Sequence, residues 1–207
     1  MTEESKIFQA ILTEHFLPLI DKHGNTHEAV NWGSLNGQKL RFKVLLDPFL
    51  AAQQSFSLLD VGCGLGHMLD YIVERGINFN YHGIDVVDEM VEQARQHHPE
   101  KSMLFENTRI EDSRVEKHDI VIASGIFFLA CDKKRMQDLI TRLFSLCKVG
   151  IAFNSLSTKS TTKDPSEFYA DPAEVLDFCL KITPRCILRH DYLPNDFTVH
   201  MFREFTN

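Results

Sequence analysis

The sequence predicts an α/β protein on a mostly parallel sheet, and three observations carry the prediction. From residue 56 onward, short apolar runs alternate with stretches of helical periodicity. One of these runs, "DIVIAS" at 119–124, is apolar almost without interruption, as a strand covered on both faces requires. The chain then closes on two strand-like runs around "LPND", which read as an antiparallel hairpin. Strands joined through helices at this spacing imply right-handed crossovers.

Each element follows from its own pattern. Residues 3–22 place Ile7, Ala10, Ile11, Phe16, Leu19 and Ile20 at helical spacing, with Pro18 as a kink or break. The stretch 23–37 is rich in Gly, Asn and Ser and reads as loop, and Leu40, Val44, Leu45 and Phe49 restore helical spacing over 38–51. Strand 56–61, a glycine turn and helix 66–75 come next. They are followed by strand 80–85, helix 88–97 closed by Pro99, and a third strand near 102–106. After 119–124 the pattern predicts helix 133–146, strand 149–155, a polar loop 155–172 and helix 173–182 with Pro172 in its first turn. The division expected is a helical lid over 1–55 and a ligand-binding domain over 56–207.

Composition bounds the function. A chain of 207 residues with 43% hydrophobic content supports a substantial core. No apolar run approaches the ~20 residues of a membrane span, the N-terminus lacks a secretory pattern, and a cytoplasmic protein is expected. Five cysteines at scattered spacings form no CxxC pair, which suits a reducing compartment. His97 and His98 precede Pro99 and read as a solvated helix end, so no metal is expected. A net charge of −7 with dispersed Lys and Arg argues against a nucleic-acid partner.

The chemistry concentrates in "SLLDVGCGLGHML". Gly62, Gly64 and Gly66 follow directly on an apolar strand, so the turn lies at the carboxyl edge of the sheet, where ligands of open α/β sheets bind. Glycines allow a sharp turn with no side chain in the ligand's way, and the next helix offers free N–H groups. Asp60 ends the strand, where a carboxylate orders the loop or meets a ligand amine. Dinucleotide enzymes favour GxGxxG, but here the spacing is GxGxG, with His67 in the third-glycine place.

The string "LLDVGCGLG" strongly resembles the first motif of class I S-adenosylmethionine-dependent methyltransferases. The resemblance spans about 56–205 and implies a three-layer Rossmann-like methyltransferase fold, a seven-stranded sheet and S-adenosylmethionine as cofactor. On that resemblance, Asp85 with Val86 at the end of the second strand takes the ribose hydroxyls, while Asp88 caps the next helix; the bland alternative makes Asp85 the cap. Gly62, Cys63, Gly64 and Gly66 supply backbone, and Cys63 carries no covalent chemistry. Arg109 falls near the place of an acid that often sits by adenine. Backbone around Arg109 and Ile110 then reads the adenine edge, and Glu111 or Asp112 supplies an amine contact. "HDIVIASGIFFL" resembles the fourth-strand motif and places Ser124, Gly125 and Ile126 beside the sulfonium, with Phe127 and Phe128 either lining the pocket or filling the core. "WGSLNGQKLRF", "AFNSLST" and "RHDYLPNDFTVHMFRE" look like one small bacterial methyltransferase family. That likeness implies fold, cofactor and reaction type, and stops short of an acceptor.

The acceptor half of the site is read from topology. The sixth strand runs parallel to the cofactor-binding strands, so its end turns on the face of the glycine loop. Asn154, Tyr169, His190 and Tyr192 are the candidates to line an acceptor site, with Ser155, Asp191 and Asp196 beside them. His190 and Tyr192 are preferred as base or orienting group. Trp32, the single tryptophan, covers cofactor or acceptor, or else anchors its loop. Arg41 partners the methionine carboxylate or forms a surface ion pair. The expected reaction is in-line methyl transfer to a small molecule. An RNA or protein methyltransferase and a non-catalytic cofactor-binding protein are the alternatives, and a nicotinamide enzyme is a distant fourth.

Overall fold

The structure is a computed structural model that describes residues 3–50, 55–112 and 114–204. Position 51, the last of the expected second helix, and position 205, the end of the resemblance, lie outside these residues. Two helices, α1 (Glu3–His23) and α2 (Leu35–Leu50), precede the sheet. Then come β1 (Phe56–Val61), α3 (His67–Glu74), β2 (Phe79–Asp85), α4 (Asp88–His97), a 3-10 turn (Pro99–Leu104) and β3 (Phe105–Asn107). The second half holds β4 (His118–Ala123), α5 (Lys133–Leu146), β5 (Cys147–Leu156), α6 (Pro172–Ile182), β6 (Cys186–Leu193) and β7 (Asp196–Phe202).

The strands form one seven-stranded sheet in the order β3-β2-β1-β4-β5-β7-β6. Pairings among β1 to β5 are parallel, and β7 runs antiparallel to both β5 and β6. Alternate residues of the central strands feed opposite faces, and both faces are buried. Leu59, Val121, Ile151 and Phe153 pack with Met136, Ile140 and Leu143 of α5 and with Val175 and Cys179 of α6. Leu58, Ile120, Ile122 and Ala152 pack with Leu45, Leu46 and Phe49 of α2, Leu69 and Ile72 of α3, and Val91 of α4. This two-sided burial is why "DIVIAS" has no polar alternation.

Four expectations change. Helix α2 is not part of a lid: Val44, Leu45, Leu46 and Phe49 are buried, three of them inside the sheet's second core layer. It also starts earlier than expected, because Ser34 Oγ accepts from Gly37 N–H at 3.0 Å and caps its first turn. The third strand is shorter and later, since Met103 is 94% exposed and residues 102–104 belong to the 3-10 turn, leaving only Phe105 buried in β3. Helix α1 runs unbroken through Pro18. No helix among the described residues is long and apolar enough to cross a membrane.

Phe153 of β5 is fully buried and meets Phe127 edge-on at 5.5 Å. Phe153→Ala is expected to lower unfolding free energy by about 3–5 kcal/mol, measured by urea denaturation. A loss below about 1 kcal/mol would contradict a close-packed first layer.

Candidate active site

At the end of β1 the chain turns back on β2. The N–H groups of Gly62 and Cys63 both donate to Ile84 O, at 2.8 and 3.1 Å. Gly62 has φ 75°, and a Cβ there would stand 2.4 Å from Ile126 Cγ2, so the position accepts only glycine. The turn is held from the neighbouring strand by Asp85. Its Oδ2 accepts from Gly64 N–H and its Oδ1 from Val87 N–H, each at 2.9 Å. Burial raises this carboxyl above the usual range, and the backbone donors oppose the rise. The N-cap position of α4 is Val87; Asp88, expected to cap, is exposed and makes no cap bond. Asp85 therefore both orders the turn and meets the start of α4. Asp60, behind the turn, is 2% exposed and accepts from Tyr81 O–H at 2.7 Å. Burial raises its carboxyl to about 7.

These groups open into a cavity at the carboxyl edge. Ten of the twelve cofactor positions expected from the sequence line it: Asp60, Gly62, Cys63, Gly64, Asp85, Val86, Arg109, Ile110, Ser124 and Gly125. Arg142 of α5 fixes one wall by donating to Ile110 O at 2.8 Å and Asp112 O at 3.0 Å. Glu111 lines the cavity and pairs with Arg109 at 3.5 Å, whereas Asp112 is held by Arg114 and lies off the wall. Burial pushes the Cys63 thiol well above its ordinary value, so it stays protonated. Gly66 does not line the cavity; it is the left-handed cap of α3, backed by Phe105 and His98.

The roof is α1. Phe8, Leu12 and Phe16 face the cavity from it. Gln9 Nε2 donates to Val86 O at 2.7 Å, Arg109 donates to Ser5 O at 3.1 Å, and the Arg135 guanidinium lies 3.5 Å from the centre of the Phe8 ring. His67 anchors the loop and α2 nearby, with Nε2 2.9 Å from Asn25 Oδ1 and Nδ1 3.0 Å from Gln38 Nε2.

A second cavity adjoins the first, and Val30, Trp32, Gly125 and Phe128 line both. Trp32 Cζ2 lies 2.8 Å from where a Cβ on Gly125 would stand, so the indole packs directly on that backbone. Asn154 and Tyr169 line the second cavity, together with Ser155, Asp164 and Glu167. Asn154 is 1% exposed and its Oδ1 accepts from Gly125 N–H at 2.8 Å, which fixes the turn after β4. Tyr169 O–H donates to Glu167 Oε2 at 2.7 Å and accepts from Asp164 N–H at 2.9 Å.

Arg41, His190 and Tyr192 stand elsewhere than expected. Arg41 lies in the second cavity, not the first, with its guanidinium 4.5 Å from the Trp32 ring and Nε donating to Asp196 Oδ2 at 2.9 Å. This ion pair is buried, with side-chain exposures of 8% and 2%, so Arg41 already has its carboxylate. His190 and Tyr192 line neither cavity. His190 Nε2 is 2.8 Å from Ser157 Oγ, and its ring stacks on Phe197. Tyr192 O–H donates to Asp196 and is 2.8 Å from Thr198 Oγ1. The reason is the sheet order: β7 inserts between β5 and β6, so the end of β6 sits one strand farther from the turns after β1 and β4. Asp191 pairs with Arg189 on the exposed surface.

Residues 58–150 match the family described as Methyltransferase domain. A Mycobacterium tuberculosis protein named as a methyltransferase, Rv1506c, is 31% identical over 162 residues, covering 72% of this chain and 93% of the relative. The chain belongs to the class I S-adenosylmethionine-dependent methyltransferases. Two solved structures share the methyltransferase's fold. Magnesium protoporphyrin IX methyltransferase from Synechocystis PCC 6803 superposes with a TM-score of 0.68 at 14% identity, covering 99% of each chain. The plantazolicin methyltransferase BpumL gives 0.65 at 16% identity, covering 99% of this chain and 100% of that one.

The sequence reading expected a helical cover from the N-terminal segment and named Phe16, but missed Phe8 and Leu12 of the methyltransferase's roof. Phe8, Leu12 and Phe16 repeat at i, i+4 and i+8, the signal of one helix face. The stripe read instead included Ile7 and Ile11, which are 56% and 39% exposed. The linings from Asp164 and Glu167 left no pattern, because they come from an irregular loop.

Between its ordinary value of 3.8 and about 7, Asp60 holds a proton in the native chain that the unfolded chain has released. Its contribution to stability therefore falls as pH rises through that window. Asp60→Asn removes this dependence. In urea unfolding the variant is expected to gain on wild type by up to about 1.4 kcal/mol per pH unit from pH 5 toward 7. A flat difference would contradict the neutral buried carboxyl.

Proposed function

We propose that this methyltransferase holds S-adenosylmethionine in the first cavity and transfers its methyl group to a small-molecule acceptor in the second. The observation that carries this reading is the shared wall: Trp32, Gly125 and Phe128 belong to both cavities. Ligands seated in the two cavities contact these same residues, which sets the acceptor beside the methyl donor.

The residues fit the cofactor. Gly62 and Gly64 adopt positive φ and leave backbone bare toward the cavity. Each Asp85 oxygen accepts one backbone N–H and retains acceptor capacity for a ribose hydroxyl, since a carboxylate offers about four lone-pair sites. Ile110 supplies an apolar face suited to a purine, and Arg109 with Glu111 offers polar groups at its rim. Bound there, the cofactor would supply an activated sulfonium methyl for in-line transfer to the acceptor, with its thioether as leaving group. The chain's part is to hold acceptor and methyl donor at near-attack distance and to exclude water. Phe8, Leu12 and Phe16 provide that exclusion from above.

For the acceptor, Tyr169, with Glu167 behind its hydroxyl, is the polar group best placed in the second cavity to orient a substrate. The Arg41–Asp196 pair braces Trp32 from beneath, and Tyr192 acts through Asp196 as a positioning residue. The mixed lining of aromatic, Lys163, Asp164 and Glu167 side chains suits a compact polar-aromatic molecule. The net charge of −7 disfavours an RNA acceptor.

Asp85→Ala is expected to weaken S-adenosylmethionine binding at least tenfold by calorimetry, since hydrogen bonds to charged groups contribute about 1.5–3 kcal/mol. Unchanged affinity in a folded variant would contradict the ribose role. For the acceptor, labelled S-adenosylmethionine is incubated with fractionated metabolite, RNA and protein pools. Label is expected in the small-molecule fraction and lost in Trp32→Ala. Label confined to RNA or protein, or absent from all three pools while the cofactor binds, would overturn the small-molecule transferase reading.

A further inference from the structure

We propose that Asp70, His97 and His98 form a binding site for one first-row divalent transition cation, with Zn²⁺ as the best match to the donors. Asp70 lies in the first turn of α3, and the two histidines close α4. The end of α4, expected to be a solvated terminus, is only partly so: the His97 side chain is 44% exposed and the His98 side chain 12%.

The geometry is that of an assembled donor set. His97 Nε2 stands 3.6 Å and His98 Nε2 3.4 Å from the same oxygen, Asp70 Oδ1. One donor atom from each of the three residues lies within 4.8 Å of the others. Tetrahedral ligands at about 2.0–2.1 Å from zinc stand about 3.3–3.4 Å apart, so two of the donor separations already approach the required edge. A charge-assisted hydrogen bond would instead bring nitrogen to about 2.7–2.9 Å from oxygen, and neither imidazole comes that close. His98 Nε2 is moreover buried and has no hydrogen-bond partner among the described residues. Such an atom calls for an explanation, and a cation between it and Asp70 Oδ1 provides one.

The donor chemistry narrows the ion. Two imidazoles and one carboxylate suit zinc and its transition-metal neighbours, whereas Mg²⁺ and Ca²⁺ favour oxygen. The helix end also favours positive charge. Three protein ligands, with His97 and Asp70 partly in solvent, leave the fourth position to water. The place has a structural meaning. The His98 ring stacks on Phe105 at 5.5 Å and lies 3.2 Å from where a Cβ on Gly66 would stand. A cation there joins α3 to α4 directly behind the glycine turn, independently of which acceptor the enzyme uses.

The test uses the full chain stripped with a chelator. Calorimetric titration with Zn²⁺ is expected to show one equivalent bound with micromolar or tighter affinity. Co²⁺ is expected to give the visible absorption of a four-coordinate site, and Zn²⁺ to raise the melting temperature. Asp70→Asn is expected to weaken binding at least tenfold and to abolish the thermal shift, and His98→Ala to do the same. His23→Ala, outside the cluster, should match wild type. If His98→Ala does not fold, Asp70→Asn decides, because that side chain is 42% exposed and near-isosteric. Absence of a stoichiometric equivalent in wild type, or wild-type affinity in Asp70→Asn, would overturn the site.

Discussion

The Asp85 carboxylate, meeting the N–H groups of Gly64 and Val87, is the interaction on which the carboxyl edge depends. One side chain at the end of β2 ties down the turn after β1 and the entry to α4. Without it two backbone donors in a partly enclosed site lose their acceptor, at about 1–3 kcal/mol each if unsolvated. Burial disfavours the charge and the N–H groups favour it, so the carboxylate is kept in place by the same turn that it shapes. Positive φ at Gly62 and Gly64 and the approach of Ile126 then leave no room for side chains on the cavity floor.

The two helices before the sheet do different work. Helix α2 is a structural layer, with Leu45 and Leu46 fully buried against the sheet. Helix α1 and the loop after it pack on the turn itself, where Ile20, Ala29, Leu65, Val87 and Met90 form a small separate apolar cluster. The cover over the first cavity therefore rests on the elements that build the cavity's floor. Its polar attachments, Gln9 to Val86 O and Arg109 to Ser5 O, end on those same walls.

The insertion of β7 between β5 and β6 shapes the other half. It brings Asp196 at the start of β7 beneath the second cavity, where Arg41 reaches it from α2 and Trp32 covers the guanidinium. A buried ion pair is weak evidence of stability, because desolvation offsets much of its Coulomb energy. Here its geometry matters more, since Tyr192 bonds Asp196, Asp196 pairs with Arg41, and the Arg41 guanidinium lies against the Trp32 ring that both cavities share.

Ten of the residues that line the first cavity were named on the resemblance to the methyltransferases, and sequence alone determined the sheet class, the glycine turn and the carboxylate before it. These are local matters: strand periodicity, a required backbone conformation and a carboxylate at a strand end are written within a few residues. Tertiary structure decided what depends on distant partners. Arg41 and Asp196 are separated by 155 positions, and nothing near Arg41 announces a buried acid. His190 and Tyr192 stand on the right edge of the sheet but one strand too far out, because strand order follows from how hydrophobic faces pack and not from the residues of the strand itself. The roof residues Phe8, Leu12 and Phe16 had a helical spacing, but which stripe faces inward is settled only when the helix meets its neighbours. Local conformation is encoded locally, while burial and charge pairing belong to the packed whole.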